Sequence, residues 1–227
     1  MTVLWVLWVI YMLAFAADLL YVQPYRTRRA AQQGRAHEAG AISYGLRTAL
    51  PIFTVALVAR TFIVDVYHVP TASMEPNLSQ DSMIWTNRLA YGLRSPLSGE
   101  VWLGQGRQPQ PGEVIVFKYP REPRTVFVKR VLGVPGDHVE VRGDRIAVNG
   151  QLVNAGDEDS AGGDSIVQLG RERFTVHDDP ELMSDIELDL VVPEAHYFTL
   201  GDNLNHSEDS RTWGLVSARH LIGRVWH

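Results

Sequence analysis

The sequence predicts a mostly β domain preceded by two membrane-spanning helices. Three observations carry this: two apolar runs within the first 66 residues, an arginine-rich stretch between them, and short period-two segments separated by turn residues from Tyr67 onward. A length of 227 residues allows one domain with appendages. Hydrophobic residues make up 45% and charged residues 21%, which excludes a disordered tail, a collagen and a long coiled coil. Cysteine is absent, so disulfide scaffolds, thiolate metal sites, iron–sulfur clusters and thiol nucleophiles are excluded. The net charge of −5 offers no bulk electrostatic reason to expect a nucleic-acid partner. That charge is unevenly spread. Residues 1–66 hold six Arg against Asp18, Glu38 and Asp65, whereas residues 67–227 hold 15 basic and 23 acidic residues.

Residues 1–22 carry a single charge, Asp18. A bilayer core needs about 20 apolar residues as helix, and this run supplies them. Trp5, Trp8, Tyr11 and Tyr21 suit interfacial belts. A cleavable signal peptide is the rival reading, since Ala14-Phe15-Ala16 resembles a small-x-small cleavage site. The missing basic residues before the run, and the basic residues after it, count against cleavage. Residues 23–47 are polar, with Arg26, Arg28, Arg29, Arg35 and Arg47 opposing Glu38. The positive-inside rule places such a loop in the cytoplasm; a nucleic-acid-binding arm fits poorly between two hydrophobic runs. Residues 48–66 form the second run, short for a span, with Pro51 expected in its first turn and Arg60 near an end, where it can snorkel. A buried core helix is the alternative. If both runs span, residues 67–227 lie outside, which in a bacterium is the periplasm or outer membrane face.

The candidate strands are Met83–Trp85, Val114–Tyr119, Val126–Leu132, His138–Val141, Arg145–Val148, Tyr197–Leu200 and Leu221–Trp226. Turn signals part them at Pro111-Gly112, Pro135-Gly136-Asp137, Arg142-Gly143-Asp144 and Asn149-Gly150. Such spacing predicts a β sandwich or barrel-like fold. The acidic, glycine-rich stretch at 154–165 reads as a loop.

Three segments stand out for chemistry: PTASMEP at 70–76, FVKRVLGVPGD at 127–137 and GDNLNHSEDSRTWG at 201–214. Ser73 lies between Pro70 and Pro76, which resist helix and central strand, so it sits on a fixed loop. An ordinary turn serine is the plain alternative. Lys129 shares a strand face with Phe127 and Val131. Burial there lowers a lysine pKa, and a neutral amine can act as a general base; the alternative is a strand-end lysine that snorkels to water. The third segment is dense in groups that form turns. It lacks the glycine and terminal glutamate of a calcium loop, and His206, Ser207 and Asp209 are too close in sequence for triad geometry. The histidines show no zinc-binding spacing. Asn77-Leu78-Ser79 and Asn205-His206-Ser207 match a glycosylation pattern too short to mean anything alone.

Together, and in this order, the segments resemble those of type I signal peptidases: a span, a basic loop, a second span, S-M-x-P, K-R followed by G-x-P-G-D, then G-D-N and S-x-D-S-R-x-W-G. The resemblance covers the chain and is weakest across 150–195. It implies the signal-peptidase and repressor-type β fold, with residues 67–227 catalytic and a small accessory β subdomain at about 138–194. It implies a bacterial inner-membrane enzyme with its catalytic domain on the periplasmic side. That enzyme removes signal peptides from secretory preproteins by a serine–lysine dyad, without metal, cofactor or nucleic acid. Membrane lipid and the export machinery would be its partners. Ser73 matches the nucleophile and Lys129 the general base. Thr71 matches an oxyanion-hole hydroxyl, where relatives often have serine, and Ser207 the serine that orients the lysine. Asp209 and Arg211 match a supporting ion pair, and Gly201, Asp202 and Asn203 open the same box. Val69, Met74, Leu78, Phe127 and Val128 match residues lining substrate pockets. Leu204, Asn205 and His206 depart from the R-D-N usual there.

The chemistry is consistent with that resemblance. A serine hydroxyl is a weak nucleophile without an adjacent base, so the amine must be uncharged. Small residues would enter shallow apolar pockets from a peptide added as an extended strand. Two other readings remain open at this point. One is a soluble self-cleaving repressor-type peptidase, which the apolar runs and the absence of a helix-turn-helix pattern disfavour. The other is a membrane-anchored scaffold without catalysis, supported only by Leu204, Asn205 and His206.

Overall fold

The computed structural model describes residues 2–33, 41–94, 101–103, 106–143, 145–153, 163–178 and 186–226. The chain divides into two compact units, Met1–Ile63 and Val64–His227, described here in turn.

The first unit is helical. Helix α1, Thr2–Ala17, runs through a wide π-type turn at Asp18–Val22 into α2, Gln23–Gln32. Helix α3, Ala41–Val58, ends in a second wide turn at Ala59–Ile63. Leu4–Gln32 and Ser43–Ile63 are both long and apolar enough to cross a membrane. Val6, Leu7, Ile10 and Leu13 of α1, and Ile52 and Val55 of α3, are exposed. Water penalises such a surface, whereas a bilayer accepts it. Only 11% of the apolar window in Ser43–Ile63 is buried, which disfavours a soluble core helix. Polar bonds join α1 and its π turn to α3. Trp8 Nε1 donates to Thr54 Oγ1 at 3.0 Å, Tyr11 to the Leu46 carbonyl at 2.8 Å, and Ser43 to Asp18 Oδ1 at 2.7 Å.

Several limits differ from the expected ones. The stretch at 23–47 contains α2 and the start of α3, because Arg, Ala and Gln are good helix formers even when polar. Pro51 therefore lies inside α3 rather than in a first turn. The second helical stretch stops at Ile63, and the alternating Val64-Asp65-Val66-Tyr67 starts a strand instead.

The strands of the second unit follow in chain order. β1 is Val64–His68, β2 Met83–Asn87, β3 Leu93–Arg94, β4 Val101–Leu103, β5 Val114–Lys118 and β6 Val126–Gly133. β7 is His138–Arg142, β8 Arg145–Val148, β9 Gln151–Leu152, β10 Gly163–Leu169, β11 Glu172–Asp178 and β12 Glu187–Val191. β13 is His196–Leu200, β14 Val216–Ser217 and β15 Leu221–Val225, with a one-turn helix α4, Ser210–Trp213, between β13 and β14. A seven-stranded sheet has the order β1-β2-β15-β5-β6-β13-β14. A four-stranded sheet, β12-β7-β8-β9, and the hairpin β10-β11 occupy the region between β6 and β13, and β3-β4 form a further small hairpin.

The turn at Asn149-Gly150 behaves as its sequence predicts. Both residues have positive φ, 51° and 78°, and two residues in that conformation close a tight hairpin, here pairing Val148 with Gln151. Strands β1, β3, β4, β9, β10, β11, β12 and β14 were not among the predicted ones. Part of the 154–165 loop, Gly163–Ser165, belongs to β10, while 154–162 lie outside the described residues. The acidic composition hides a period of two: Ser165, Val167 and Leu169 turn inward, and Asp164, Ile166 and Gln168 outward. Val167, Phe174 and Val176 of the hairpin share a core with Val139, Val141, Ile146 and Val148 of the small sheet and with Leu132, Phe198 and Leu200 of the large one. That shared core holds the small sheet and the hairpin β10-β11 against β6 and β13 of the large sheet.

Candidate active site

Ser73 lies in a single 3₁₀ turn, Ala72–Met74, between β1 and β2. Lys129 lies in the middle of β6, opposite Ile115 of β5. The two are 56 residues apart in sequence, and Lys129 Nζ is 2.6 Å from Ser73 Oγ. Both are buried, Ser73 at 7% exposure and Lys129 at 4%. Of the two readings open for Lys129, burial on the strand face is the one observed. Ile115, Phe117 and Val131 pack in one apolar cluster, with Phe127 beside it. Lys129 Nζ stands 5.9 Å from the Phe127 ring centroid. Burial lowers the lysine pKa to about 8, against the opposing pull of Asp209 and Asp202. Roughly a tenth of the amine is then unprotonated at pH 7 and about half at pH 8, and the lone pair of that fraction can accept the Ser73 proton.

Thr71 caps the 3₁₀ turn in an extended conformation, and its hydroxyl donates to Ser73 Oγ at 3.3 Å. The hydrogen bond to Lys129 expected of Ser207 is not formed. Its Oγ is buried without a hydrogen-bond partner, and the Lys129 amine bonds Ser73 instead. Gly201 explains how closely these segments meet. A Cβ on Gly201 would stand 2.2 Å from Ser207 Oγ and 2.5 Å from the Ser73 carbonyl oxygen, so glycine is the residue that fits.

Asp209 is fully buried. Its carboxylate accepts from Arg211 Nε at 2.8 Å and Nη2 at 2.9 Å, and from the Gly201 amide at 3.2 Å. Arg211 also donates to the Leu204 carbonyl at 2.6 Å. Asn203 donates its amide to the Ser73 carbonyl at 3.2 Å. The segment 201–211 is thus clamped by one ion pair and tied to the serine turn through main-chain atoms.

The five expected pocket residues divide. Val69 and Met74 pack together, with Leu78 and Val128 against them. Phe127 joins the other cluster, stacked on Tyr119 at 4.6 Å and near Trp213. Successive strand residues face opposite ways, so Phe127 and Val128 cannot line the same wall. Met74 has no exposed surface and fills the core.

A model of the family described as "Signal peptidase, peptidase S26" matches residues 42–226. The chain belongs to the signal peptidase S26 family. It is a serine peptidase, and so a hydrolase. The signal peptidase I of Pseudomonas aeruginosa is 32% identical over 203 residues, covering 82% of this chain and 71% of that one. That of Pseudomonas fluorescens shows the same identity and coverage. The enzyme of Aquifex aeolicus is 29% identical over 215 residues, covering 77% and 79%.

Among these signal peptidase features, Leu204 is the departure the structure explains best. It is buried in the core shared with the small sheet, and its amide donates to the His177 carbonyl at 2.9 Å. An apolar side chain and main-chain bonds therefore hold the loop at this position. Asn203 receives His206 Nδ1 at 3.3 Å.

Sequence reasoning gave no role to Arg130 and met Asn77 only as part of a glycosylation pattern. Arg130 is buried and meets both oxygens of Asp202, Nε to Oδ1 at 2.7 Å and Nη2 to Oδ2 at 2.6 Å. Its guanidinium lies 4.0 Å from the Phe174 ring centroid. The signal was present in part: an arginine in the apolar β6 requires a carboxylate, but nothing in the sequence says which of 26 acidic residues supplies it.

Proposed function

We propose that this chain removes signal peptides from exported preproteins, with Ser73 as nucleophile and Lys129 as general base. The observation that carries the reading is the 2.6 Å approach of a buried lysine amine to a serine hydroxyl. In the proposed mechanism the uncharged Lys129 amine takes the proton from Ser73 Oγ. The alkoxide attacks the scissile carbonyl, forming the C–O bond of a tetrahedral oxyanion. The Ser73 amide and the Thr71 hydroxyl stabilise that charge. Lys129 then returns the proton to the leaving amine, giving an acyl-enzyme, and next deprotonates the water that hydrolyses it.

Ser207 enters this mechanism as the group that orients the Lys129 amine once its proton has moved. Its buried hydroxyl has no other partner to leave. The apolar cluster of Val69, Leu78 and Val128 supplies a wall for small residues of the substrate. The two apolar helices anchor the enzyme in the bacterial inner membrane with residues 67–227 on the periplasmic side. The arginine-rich stretch at 23–47 supports that orientation. Signal peptides, membrane lipid and the export machinery are the partners of this reading.

The test is cleavage of a preprotein by the full chain in detergent, with Ser73→Ala and Lys129→Ala alongside. Loss of cleavage in both variants is expected. Equal activity in all three would remove the dyad.

A further inference from the structure

We propose that Asn77 is a positioning residue for this reaction, holding the Ser73 turn in register with the strand that carries Lys129. The proposal rests on the serine–lysine reading above. Asn77 follows the 3₁₀ turn by three residues, and both of its amide donors and its amide oxygen are engaged. Nδ2 donates to the Thr175 carbonyl at 2.6 Å and to Asp202 Oδ2 at 2.8 Å. Oδ1 accepts from the Thr175 amide at 3.2 Å. The side chain thus pairs with β11 as a strand neighbour would, and at the same time touches the carboxylate that binds Arg130.

Three segments distant in sequence meet at this one amide. The Ser73 turn supplies Asn77, the hairpin β10-β11 supplies Thr175, and the box at 201–203 supplies Asp202. Asp202 leads back to β6 through Arg130, the residue next to Lys129. The main chain repeats the link, with His177 donating to the Asp202 carbonyl at 2.7 Å and Asn203 to that of Ser73. A small shift of the turn would lengthen the contact between Ser73 Oγ and Lys129 Nζ, and reaction rates fall steeply with such displacements. Asn77 touches neither reacting atom, so it acts through the turn and through Asp202.

The experiment uses the full chain in detergent and a preprotein substrate. Asn77→Leu keeps the approximate size and removes every hydrogen bond. Asn77→Asp keeps the shape, loses both donors and sets a second carboxylate against Asp202. The charged groups facing Lys129 are Asp202, Asp209, Glu208 and Arg211. One more negative charge beside Asp202 favours the protonated amine. For Asn77→Leu, kcat should fall by on the order of tenfold or more, with KM within about twofold, since substrate-binding groups are untouched. For Asn77→Asp, the acid limb of the rate profile should move up by roughly half a unit. The new charge alone moves that limb, so positioning is read from kcat on the plateau above it, where Lys129 is uncharged in either protein.

Wild-type kcat in Asn77→Leu would overturn the proposal, as would a loss carried by KM alone or a wild-type plateau kcat in Asn77→Asp. If Asn77→Leu does not fold, the plateau kcat of Asn77→Asp decides. Ser73→Ala in the same series separates the two readings. Activity remaining there removes the dyad, whereas an inactive Ser73→Ala beside wild-type-like Asn77 variants removes only the role of Asn77.

Discussion

Lys129 and Arg130 are adjacent in β6, and each is buried against a different partner. Lys129 meets the Ser73 hydroxyl at 2.6 Å and Arg130 meets the Asp202 carboxylate through both of its oxygens. The two cations are treated in opposite ways. The desolvation of Arg130 is compensated by a bidentate carboxylate. Lys129 bonds no carboxylate, and burial pushes its pKa down to about 8.

The first prediction concerns pH. Cleavage should rise with pH through about 8, where Lys129 loses its proton. The measurement is kcat/KM on a preprotein across that range. A limb near pH 10, where free lysine titrates, would remove the desolvated base. Lys129→Arg should be inactive, because arginine retains its proton at every accessible pH.

The same shift has a consequence for stability. The folded pKa of Lys129, about 8, lies below the 10.5 of a lysine in water. The unfolded chain therefore binds more protons between those values, and stability rises with pH across that window. Below about pH 8 the folded state carries a buried charged amine, a cost of roughly 3 kcal/mol. Lys129→Met should be the more stable protein at neutral pH, with its advantage shrinking as pH rises toward 10.5. Urea midpoints of the two proteins across pH measure this. An advantage independent of pH would contradict it.

Gly201→Ala should impair catalysis far more than its single methyl implies. The new Cβ would stand 2.5 Å from the Ser73 carbonyl oxygen, a main-chain atom that cannot yield without moving the nucleophile. A displacement of about 1 Å can cost on the order of 100-fold in rate. Steady-state kinetics, with circular dichroism to confirm folding, checks it.

Replacing one member of the Arg130–Asp202 pair strands the other in the interior. Arg130→Met or Asp202→Leu alone should destabilise by about 3–5 kcal/mol, whereas the double replacement should recover much of that loss. Urea unfolding of all three variants tests this, and additive losses would show that the pair is not coupled.

Thr71→Ser should retain most activity and Thr71→Val should lose about 10²–10³ in kcat, if the hydroxyl stabilises the oxyanion. Equal rates in the three proteins would remove that role.

The sequence by itself determined the order of the parts: two apolar runs, an arginine-rich stretch between them and three motifs beyond. Two apolar runs within the first 66 residues read as helices long enough to cross a bilayer. Ser73 between two prolines and Lys129 within an apolar strand were legible, because turn propensity and period-two burial are local properties. So was the hairpin at Asn149-Gly150. Only the tertiary structure decided which distant groups meet. Asp202 finds Arg130 across 72 residues and Asn77 finds Thr175 across 98. Phe127 and Val128 separate into different clusters, and Leu204 becomes core where a charge was expected. Strands β10 to β12 were hidden for the same reason. Their acidic residues point to water and leave every second residue to be buried, and what buries those residues is the rest of the fold.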